Sequence, residues 1–299
     1  MEDPMLAAIE AGGSKFVCAV GGGFDDIWAQ KTIPTGTPDE TLAACAKFFK
    51  DAQVRFGVIT SLGIASFGPI DLARSATYGT LLSTPKSGWA GTNFAHFFGH
   101  QVGVRVVIDT DVNAAVLAEV HAGAARGCGN AVYVTVGTGI GAGVMVDGAL
   151  VHGVLHPEVG HMPVPRAQGD EKFESQCPYH SDCFEGLASG PAIAVRAAMP
   201  ASILPADHMA WDTEAYYLAQ LCRSITFAYA PERIILGGGV MNQKRLLARV
   251  QRRTEKLIAG YVPTAARTGG MERYIVAPGL GKISGLVGAF MLARGAAQR

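Results

Sequence analysis

The amino-acid sequence predicts an α/β fold built from two similar halves, which form two lobes around a cleft. Short apolar stretches typical of strands alternate with helix-type patterns along the 299 residues, and this alternation indicates α/β architecture. In addition, each half begins with two strands that a glycine turn joins, first at residues 11–15 and again at residues 137–139. Because the same unit recurs in both halves, we expect a duplicated fold.

The composition favours an enzyme that acts on a small molecule. Lys plus Arg number 25, as do Asp plus Glu, so no net charge attracts nucleic acid or an anionic membrane. The N-terminal residues are acidic and no cleavable apolar segment follows them, which predicts a cytoplasmic protein. Residues 127–146 have the length of a membrane span, but their glycines and β-branched residues favour two strands joined by a turn.

The predicted elements follow one another in a similar order in both halves. The first helix begins at a capping box at residues 37–40, and residues 163–189 are a long polar loop that needs a staple of its own. Strands are predicted at residues 6–10, 16–20, 62–67, 104–108, 131–136, 141–146, 233–236 and 274–276. Helices are predicted at about residues 38–55, 112–124, 214–229, 242–258 and 283–294.

The glycine turns, and a later run of glycines, are candidate phosphate-binding loops. Glycine lets backbone N–H groups approach phosphate oxygens closely, and a hydroxyl or a lysine adds further contacts. Each turn taken singly is also compatible with a plain hairpin, because neither matches a Walker or dinucleotide motif. The run at residues 237–239 follows a predicted strand, where α/β folds bind nucleotides. The candidate residues are Gly12, Gly13, Ser14, Lys15, Gly137, Thr138, Gly139, Gly237 and Gly238.

A carboxylate stands at the junction between the fourth predicted strand and the helix after it. Asp109 and Asp111 lie at the carboxyl end of this strand. One interpretation is that Asp111 caps the helix. The other is that Asp111 is the general base of a phosphoryl transfer, which needs positioning, charge neutralisation and a carboxylate that accepts the hydroxyl proton.

A Cys-x2-His-x2-Cys segment at residues 177–183 has the ligand types and spacing of a structural zinc site. We expect His161 as the fourth ligand, although His152 and His156 are also near in the sequence. The alternatives are a disulfide between the two cysteines, which a cytoplasmic chain disfavours, and unrelated surface residues. A site with four protein ligands leaves no open position for a catalytic water, so the zinc would be structural. It would fix the loop over the active site. The predicted ligands are His161, Cys177, His180 and Cys183.

Two carboxylates flank this zinc segment. Glu158 lies three residues before His161, and Glu185 lies two residues after Cys183. Exposed acids are usually solvated surface residues, but sugar hydroxyls need bidentate acceptors of this kind. We expect His161 to contact zinc through one ring nitrogen and the sugar through the other.

Segments in order along the chain resemble the ROK (repressor, open reading frame, kinase) family. They are residues 9–15, 66–71, 109–115, 136–141, 157–161 and 177–183. Within the family, residues 78–80, 83–89 and 177–191 are most similar to bacterial fructokinases. The resemblance implies an actin-like ATPase fold of the duplicated, ribonuclease H-like type. The small lobe would be residues 1–110 with a last helix at about 284–299, and the larger lobe residues 111–283.

The same resemblance assigns roles to individual residues. Asp111 matches the catalytic base, and Mg2+ accompanies the ATP. The residues that match the sugar site are Gly68, Asn93, Asp111, Glu158, His161 and Glu185. Gly12 to Lys15 match the first phosphate loop, Gly137 to Gly139 the second, and Gly237 with Gly238 the adenosine region.

The implied function is ATP-dependent phosphorylation of a hexose, with D-fructose as the first choice of substrate. Glu10, where many relatives carry Asp, and His180 in the zinc segment both favour the fructose subgroup. Mannose, glucose and N-acetylhexosamines are the alternatives, since pocket shape cannot be read from sequence. A sugar-responsive regulator is a remote alternative, because the first phosphate loop at residue 12 leaves no room for a preceding DNA-binding segment. We expect sugar and ATP as partners, a homodimer, and no contact with nucleic acid or membrane.

Overall fold

The computed structural model describes residues 4–84 and 86–297. Pro85, which belongs to the fructokinase-like segment 83–89, and the two ends of the predicted small lobe lie outside the described residues. The chain divides into two compact units. The first comprises the residues up to Ala118, His152–His156 and the residues from Lys282 onward; the second comprises Glu119–Val151 and Pro157–Gly281.

The first unit contains a five-stranded sheet in the order β3-β2-β1-β4-β5. β2 pairs antiparallel with both β1 and β3, whereas β4 runs parallel to β1 and to β5. The buried faces of β1 and β4 are almost continuously apolar, as expected for strands covered on both sides. The strands are β1 (Met5–Ala11), β2 (Lys15–Gly23), β3 (Asp26–Pro34), β4 (Ile59–Ser66) and β5 (Arg105–Thr110).

The second unit contains a sheet with the same plan, in the order β10-β9-β6-β7-β8. β6 and β7 form an antiparallel hairpin, and β9 lies parallel to β6 on the other side, as β4 does to β1. The strands are β6 (Ala131–Val136), β7 (Ile140–Val146), β8 (Ala149–Leu150), β9 (Arg233–Gly237) and β10 (Ile275–Val276).

Helices connect and cover these sheets. They are α1 (Pro38–Phe56), α2 (Phe94–Val102), α3 (Asp111–Ala122), α4 (Phe184–Ala188), α5 (Gly190–Ala197), α6 (Ala210–Tyr229), α7 (Leu246–Ile258), α8 (Thr264–Thr268), α9 (Met271–Tyr274) and α10 (Ser284–Ala297). Short 3-10 turns lie at Val159–His161, Gly239–Asn242 and Gly281–Ile283.

The start of α1 illustrates how local sequence sets a helix boundary. The carboxylate of Glu40 accepts hydrogen bonds from the hydroxyl and the backbone N–H of Thr37, at 2.7 and 3.4 Å. Pro38 occupies the first helical position, where its missing N–H costs nothing. The predicted capping box is therefore confirmed.

The last helix is part of the core of the first unit. Leu286, Ala289 and Phe290 are buried together with Leu6 of β1 and Ala65 of β4. Small residues allow this close approach, since a methyl group on Gly288 would overlap the carbonyl oxygen of Ala114. The C-terminal helix α10 therefore packs against the N-terminal sheet.

The core of the second unit is larger and surrounds the β6–β7 hairpin. Val134 and Val144 of the hairpin are fully buried together with Trp211, Leu218 and Ile225 of α6. The stretch with the length of a membrane span is thus the glycine-turned hairpin that its residue pattern favours. No helix among the described residues is long and apolar enough to cross a membrane.

The duplicated α/β fold is confirmed, and several boundaries differ from the predicted ones. The glycine run at 237–239 leads first into a 3-10 turn, so α7 begins at Leu246 rather than near Asn242. The predicted loop at 163–189 ends in the short helix α4. β3, α2 and α5 had no counterpart in the prediction. For β3 the reason is that this exposed edge strand lacks an alternating apolar pattern.

Candidate active site and metal centre

Three predicted site regions of the first unit meet at one edge of its sheet. The register pairs Ala11 at the end of β1 with Ser66 at the end of β4, and Ser66 with Thr110 at the end of β5. Because these strands are parallel, the residues that follow them lie side by side. The first glycine turn, the segment around Gly68, and Asp111 are therefore neighbours.

The first glycine turn is a compact, hydrogen-bonded loop. The N–H of Gly12 donates to the carbonyl of Lys15 at 3.0 Å, and the hydroxyl of Thr35 donates to the carbonyl of Gly12 at 2.9 Å. The ammonium group of Lys86 donates a hydrogen bond to the carbonyl of Gly13, which brings a second cation to this turn. Sequence reasoning did not single out Lys86, since nothing in linear order connects it to residue 13.

Asp111 is the first residue of α3, and it is not the helix cap. The hydroxyl of Thr110 accepts the N–H of Asn113 at 3.1 Å, so Thr110 performs the capping. Asp111 Oδ1 accepts the N–H of Val112 at 2.9 Å, a bond within the first turn of its own helix. The capping interpretation of Asp111 is therefore wrong, and its carboxylate retains acceptor capacity for a ligand.

Two acids of this edge have raised pKa values. Burial raises the pKa of Asp111 to about 6, although backbone hydrogen bonds oppose the shift. The pKa of Glu10 in β1 is raised to about 7, first by burial and then by the nearby charge of Asp111, while Lys15 lowers it. A carboxylate with a pKa of about 6 is ionised at neutral pH and remains a usable base.

Gly68 and Asn93, the other sugar-site candidates of the first unit, occupy different kinds of position. Gly68 follows β4 at the sheet edge. Asn93 is the N-cap of α2: its Oδ1 accepts the N–H of His96 at 2.8 Å, and its Nδ2 donates to the hydroxyl of Thr80 at 2.8 Å. Both polar atoms of the Asn93 side chain thus have protein partners.

In the second unit, the remaining glycine candidates also meet at the end of parallel strands. Thr135 of β6 pairs with Gly237 of β9. Gly238 has φ of 91°, and a side chain there would overlap the backbone of Val136, so only glycine allows this approach. The N–H of Gly190, at the start of α5, donates to the carbonyl of Gly137 at 2.7 Å.

Glu185 joins the predicted sugar-binding and phosphate-binding regions of this unit. The N–H of Ile140 donates to its Oε2 at 2.9 Å, and its Oε1 lies 3.9 Å from Nε2 of His161. A methyl group on Gly139 would lie 2.5 Å from Oε2. The glycine is therefore needed for the carboxylate to reach the turn.

Glu158 precedes, and His161 ends, a 3-10 turn that lies close against β7. The carbonyl of Glu158 accepts the N–H of His161 at 3.0 Å, which closes the turn. Gly160 lies within it, and a side chain there would overlap the carbonyl of Ile140. The spacing of Glu158 and His161 thus depends on a glycine that packs against the strand.

Four side chains form a cluster that could hold a metal ion. One ligand atom from each of the four lies within 4.8 Å of all the others. Nδ1 of His161 is 3.7 Å from Sγ of Cys177 and 3.9 Å from Sγ of Cys183, and Nδ1 of His180 is 3.6 Å from Sγ of Cys177. Tetrahedral zinc requires nitrogen–sulfur separations of about 3.6 Å. The cluster consists of His161, Cys177, His180 and Cys183.

The alternatives for this segment are decided by the same geometry. All six cysteines are free thiols, which excludes the disulfide between Cys177 and Cys183. Neither His152 nor His156 belongs to the cluster. His161 directs Nδ1 towards the cysteines and Nε2 towards Glu185, which is the orientation that a dual role requires.

The loop that carries the cluster has a second anchor that sequence reasoning missed. Arg196 of α5 donates to both carboxylate oxygens of Asp170, each at 2.9 Å, and the hydroxyl of Tyr217 donates to Oδ2 at 2.6 Å. Asp170 and Tyr217 are buried. An ion pair therefore anchors this loop to α5.

The two sheets of the same plan, with glycine turns at the ends of their parallel strands, are those of the actin-like ATPase fold. The chain belongs to the ROK family, whose model matches residues 6–296. The family that the motifs resemble is thereby confirmed.

Individual relatives match over nearly the whole chain. A fructokinase of Zymomonas mobilis subsp. mobilis is 43% identical over 293 residues, covering 97% of this chain and 96% of the relative. A fructokinase of Pediococcus pentosaceus is 40% identical over 293 residues, covering 98% of each. The crystal structure of the ROK hexokinase from Thermus thermophilus superposes with a TM-score of 0.79 at 24% identity, over 98% of this chain and 99% of that one. This last similarity shows the fold.

Proposed function

We propose that this protein is a fructokinase that transfers the γ-phosphoryl group of ATP to D-fructose and forms fructose 6-phosphate. The observation that carries the catalytic assignment is Asp111, which stands beside a glycine turn at the sheet edge with its capping role taken by Thr110. The choice of sugar is supported by the full-length identity of 40–43% to proteins named fructokinase.

In this reaction Asp111 accepts the proton of the primary hydroxyl as that oxygen attacks the γ-phosphorus. The bond between the γ-phosphorus and the bridging oxygen of ADP breaks, and ADP leaves with the electron pair of that bond. With a pKa raised to about 6, Asp111 is ionised at neutral pH and is more basic than an ordinary aspartate.

The two glycine turns and Lys15 would bind the phosphates of ATP. The first turn offers the N–H groups and hydroxyl of residues 12–14, and the second offers those of residues 137–139. Gly237 and Gly238 would approach the adenosine. Mg2+, bound with ATP, would neutralise the charge that develops on the phosphoryl oxygens.

Glu158, His161 and Glu185 would hold the sugar hydroxyls, with Gly68 and Asn93 as further pocket residues. The cluster of His161, Cys177, His180 and Cys183 fits zinc by its donor set and spacing, and its four protein ligands leave no open position for a catalytic water. Zinc would therefore be structural, and it would fix the loop from which Glu185 emerges. A cytoplasmic homodimer completes the proposal, in line with the reduced cysteines.

The experiment that tests the function is a coupled ADP-release assay with Mg-ATP against fructose, mannose, glucose and N-acetylmannosamine. We expect the highest kcat/KM with fructose. A higher value with another hexose would retain the kinase mechanism and overturn the choice of sugar. No ADP release with any hexose, from a folded protein that binds ATP, would contradict the proposed function.

A further inference from the structure

The segment His152–His156, here called the histidine strap, has a place in the fold that the proposed function does not use. It connects β8 with the segment that carries Glu158, and its contacts group it with the first unit. The strap has a histidine at each end, and Val154 at its centre is fully exposed. Both histidines lie outside the candidate metal cluster.

The first histidine bonds to the strand that precedes the proposed base. Nε2 of His152 lies 2.9 Å from Oδ2 of Asp109, which is buried at the end of β5. The other oxygen of Asp109 accepts the N–H of Thr110 at 2.8 Å and Nδ2 of Asn113 at 2.7 Å. Asp109 and Asn113 lie two residues before and two residues after Asp111, so this network holds the turn of chain that carries Asp111.

The second histidine bonds to the turn after β4. The N–H of Ile70 donates to Nε2 of His156 at 3.3 Å, and both residues are buried. An acceptor nitrogen carries no proton, so the ring proton of His156 lies on Nδ1. A methyl group on Gly68 would lie 3.5 Å from this ring, in ordinary contact. His156 therefore supports the turn that begins at Gly68.

The two contact points are neighbours in the sheet. β4 and β5 are adjacent and parallel, with Ser66 opposite Thr110, so His152 and His156 each support the residues that follow one of these strands. The strap thus runs along the edge where Gly68 and Asp111 lie. Along the chain, Glu158 follows only two residues after His156.

We propose that His152 and His156 are positioning residues for the kinase reaction: His152 orients the base Asp111 through Asp109, and His156 shapes the hexose pocket through the Gly68–Ile70 turn. The inference rests on the proposed function. It assigns the two ends of the strap to different steps, because one end supports the base and the other supports a sugar-contacting turn. The kinetic consequences of losing each histidine must therefore differ.

Phenylalanine substitutions test this difference, since phenylalanine keeps the ring and removes the hydrogen bond. We expect His156→Phe to raise KM for fructose about 10-fold with kcat nearly unchanged, because loss of the bond to Ile70 would shift the Gly68–Ile70 turn and weaken its contacts with the sugar. We expect His152→Phe to lower kcat about 10- to 100-fold with KM nearly unchanged, because small misplacement of a reacting group is costly.

Glutamine substitutions provide the rescue. The end of a glutamine side chain can replace a ring Nε2, donating to Asp109 at position 152 and accepting from Ile70 at position 156. We expect His152→Gln and His156→Gln to recover most of the lost kcat and KM, respectively. A loss of folded enzyme would lower the apparent kcat without changing KM, so kcat is calculated per folded chain, with the folded fraction measured by circular dichroism. The matched control is Val154→Ser, at the exposed centre of the strap, which should leave both parameters unchanged.

The outcomes separate this inference from the proposed function. Wild-type kinetics with fructose come first; if another hexose is the substrate, the same variants are measured with that hexose. Equal kcat and KM in wild type and both phenylalanine variants would overturn the inference. A lower kcat together with a higher KM in each phenylalanine variant, without recovery in the glutamine variants, would overturn it too. If the phenylalanine variants do not fold, as judged by circular dichroism, His152→Asn and His156→Asn replace them, because the shorter amide cannot span either contact.

Discussion

Glu185 and Ile140 are joined by a 2.9 Å hydrogen bond, in which the backbone N–H of Ile140 donates to Oε2 of the carboxylate. Ile140 is the first residue of β7, directly after the glycine turn at residues 137–139. Glu185 lies two residues after Cys183 of the candidate metal cluster. One contact therefore connects a proposed sugar ligand, a proposed phosphate turn and the loop that carries the candidate metal cluster within the second unit.

This relationship makes Glu185→Gln an informative substitution. The amide oxygen can still accept the N–H of Ile140, so the fold should be retained, while the charge that accepts sugar hydroxyls is lost. We expect KM for fructose to rise about 10-fold, the cost of weakening a charge-assisted hydrogen bond. Initial-rate kinetics measure this, with Glu174→Gln, an exposed acid of the same loop, as the control. An unchanged KM in Glu185→Gln would remove Glu185 from the sugar site.

Replacement of Asp111 by asparagine tests the base. Asparagine has the same size and cannot accept the hydroxyl proton, so we expect kcat to fall about 100- to 10,000-fold. Fructose binding should persist, since the shape of the site is preserved. Calorimetric titration with fructose and rapid-quench turnover measure the two effects separately. Turnover near the wild-type rate would show that another group removes the proton.

The pH dependence of the reaction follows from the pKa of the same residue. Asp111 must be ionised to act as a base, and its pKa is raised to about 6 by burial. Activity should therefore be present above this value and should be lost as the pH falls through about 6. The measurement is kcat/KM for fructose from pH 5 to 8, with circular dichroism to show that the protein stays folded. A profile that is flat down to pH 5 would contradict the assignment.

Removal of the metal should disturb the loop rather than unfold the second unit. We expect Cys177→Ala to lose bound zinc and to raise KM for fructose, because Glu185 follows the cluster on the same loop. The Asp170–Arg196 ion pair remains as the second anchor, so circular dichroism should change little. Zinc per chain, measured by mass spectrometry, should stay near one in the control Cys128→Ala, whose thiol lies outside the cluster. Full zinc content in Cys177→Ala would exclude the predicted site.

Two glycines of α10 provide a matched pair for stability. A methyl group at Gly288 would overlap the carbonyl of Ala114, whereas a methyl at Gly295 would have no atom within 4 Å apart from its chain neighbours and the adjacent helix backbone. We expect Gly288→Ala to destabilise the protein by about 1–3 kcal/mol through overpacking. Gly295→Ala should be neutral or stabilising by up to about 1 kcal/mol, as alanine favours the helix. Thermal unfolding measures both, and equal melting temperatures would show that α10 does not pack as described.

Much of the site could be predicted because its signals are local. The Cys-x2-His-x2-Cys spacing places its three ligands close together within one short loop, whatever the rest of the fold. Glycine turns between apolar strands can likewise be recognised from local composition. The interactions that sequence reasoning missed join distant residues, such as Lys86 with Gly13 and Arg196 with Asp170. The edge strand β3 was missed for a similar reason, since its pairing with β2 rather than an apolar pattern makes it a strand.

The sequence by itself determined the α/β class, the duplication, the family and the residue types of the candidate metal cluster, since each depends on residue type and short-range spacing. Only the tertiary structure decided which histidine joins the cysteines, which residue caps α3 and which carboxylates have raised pKa values. Those outcomes depend on which groups lie within hydrogen-bond reach and on how far burial removes each carboxylate from water. Both are set by strand register and packing, which bring together residues far apart in the chain.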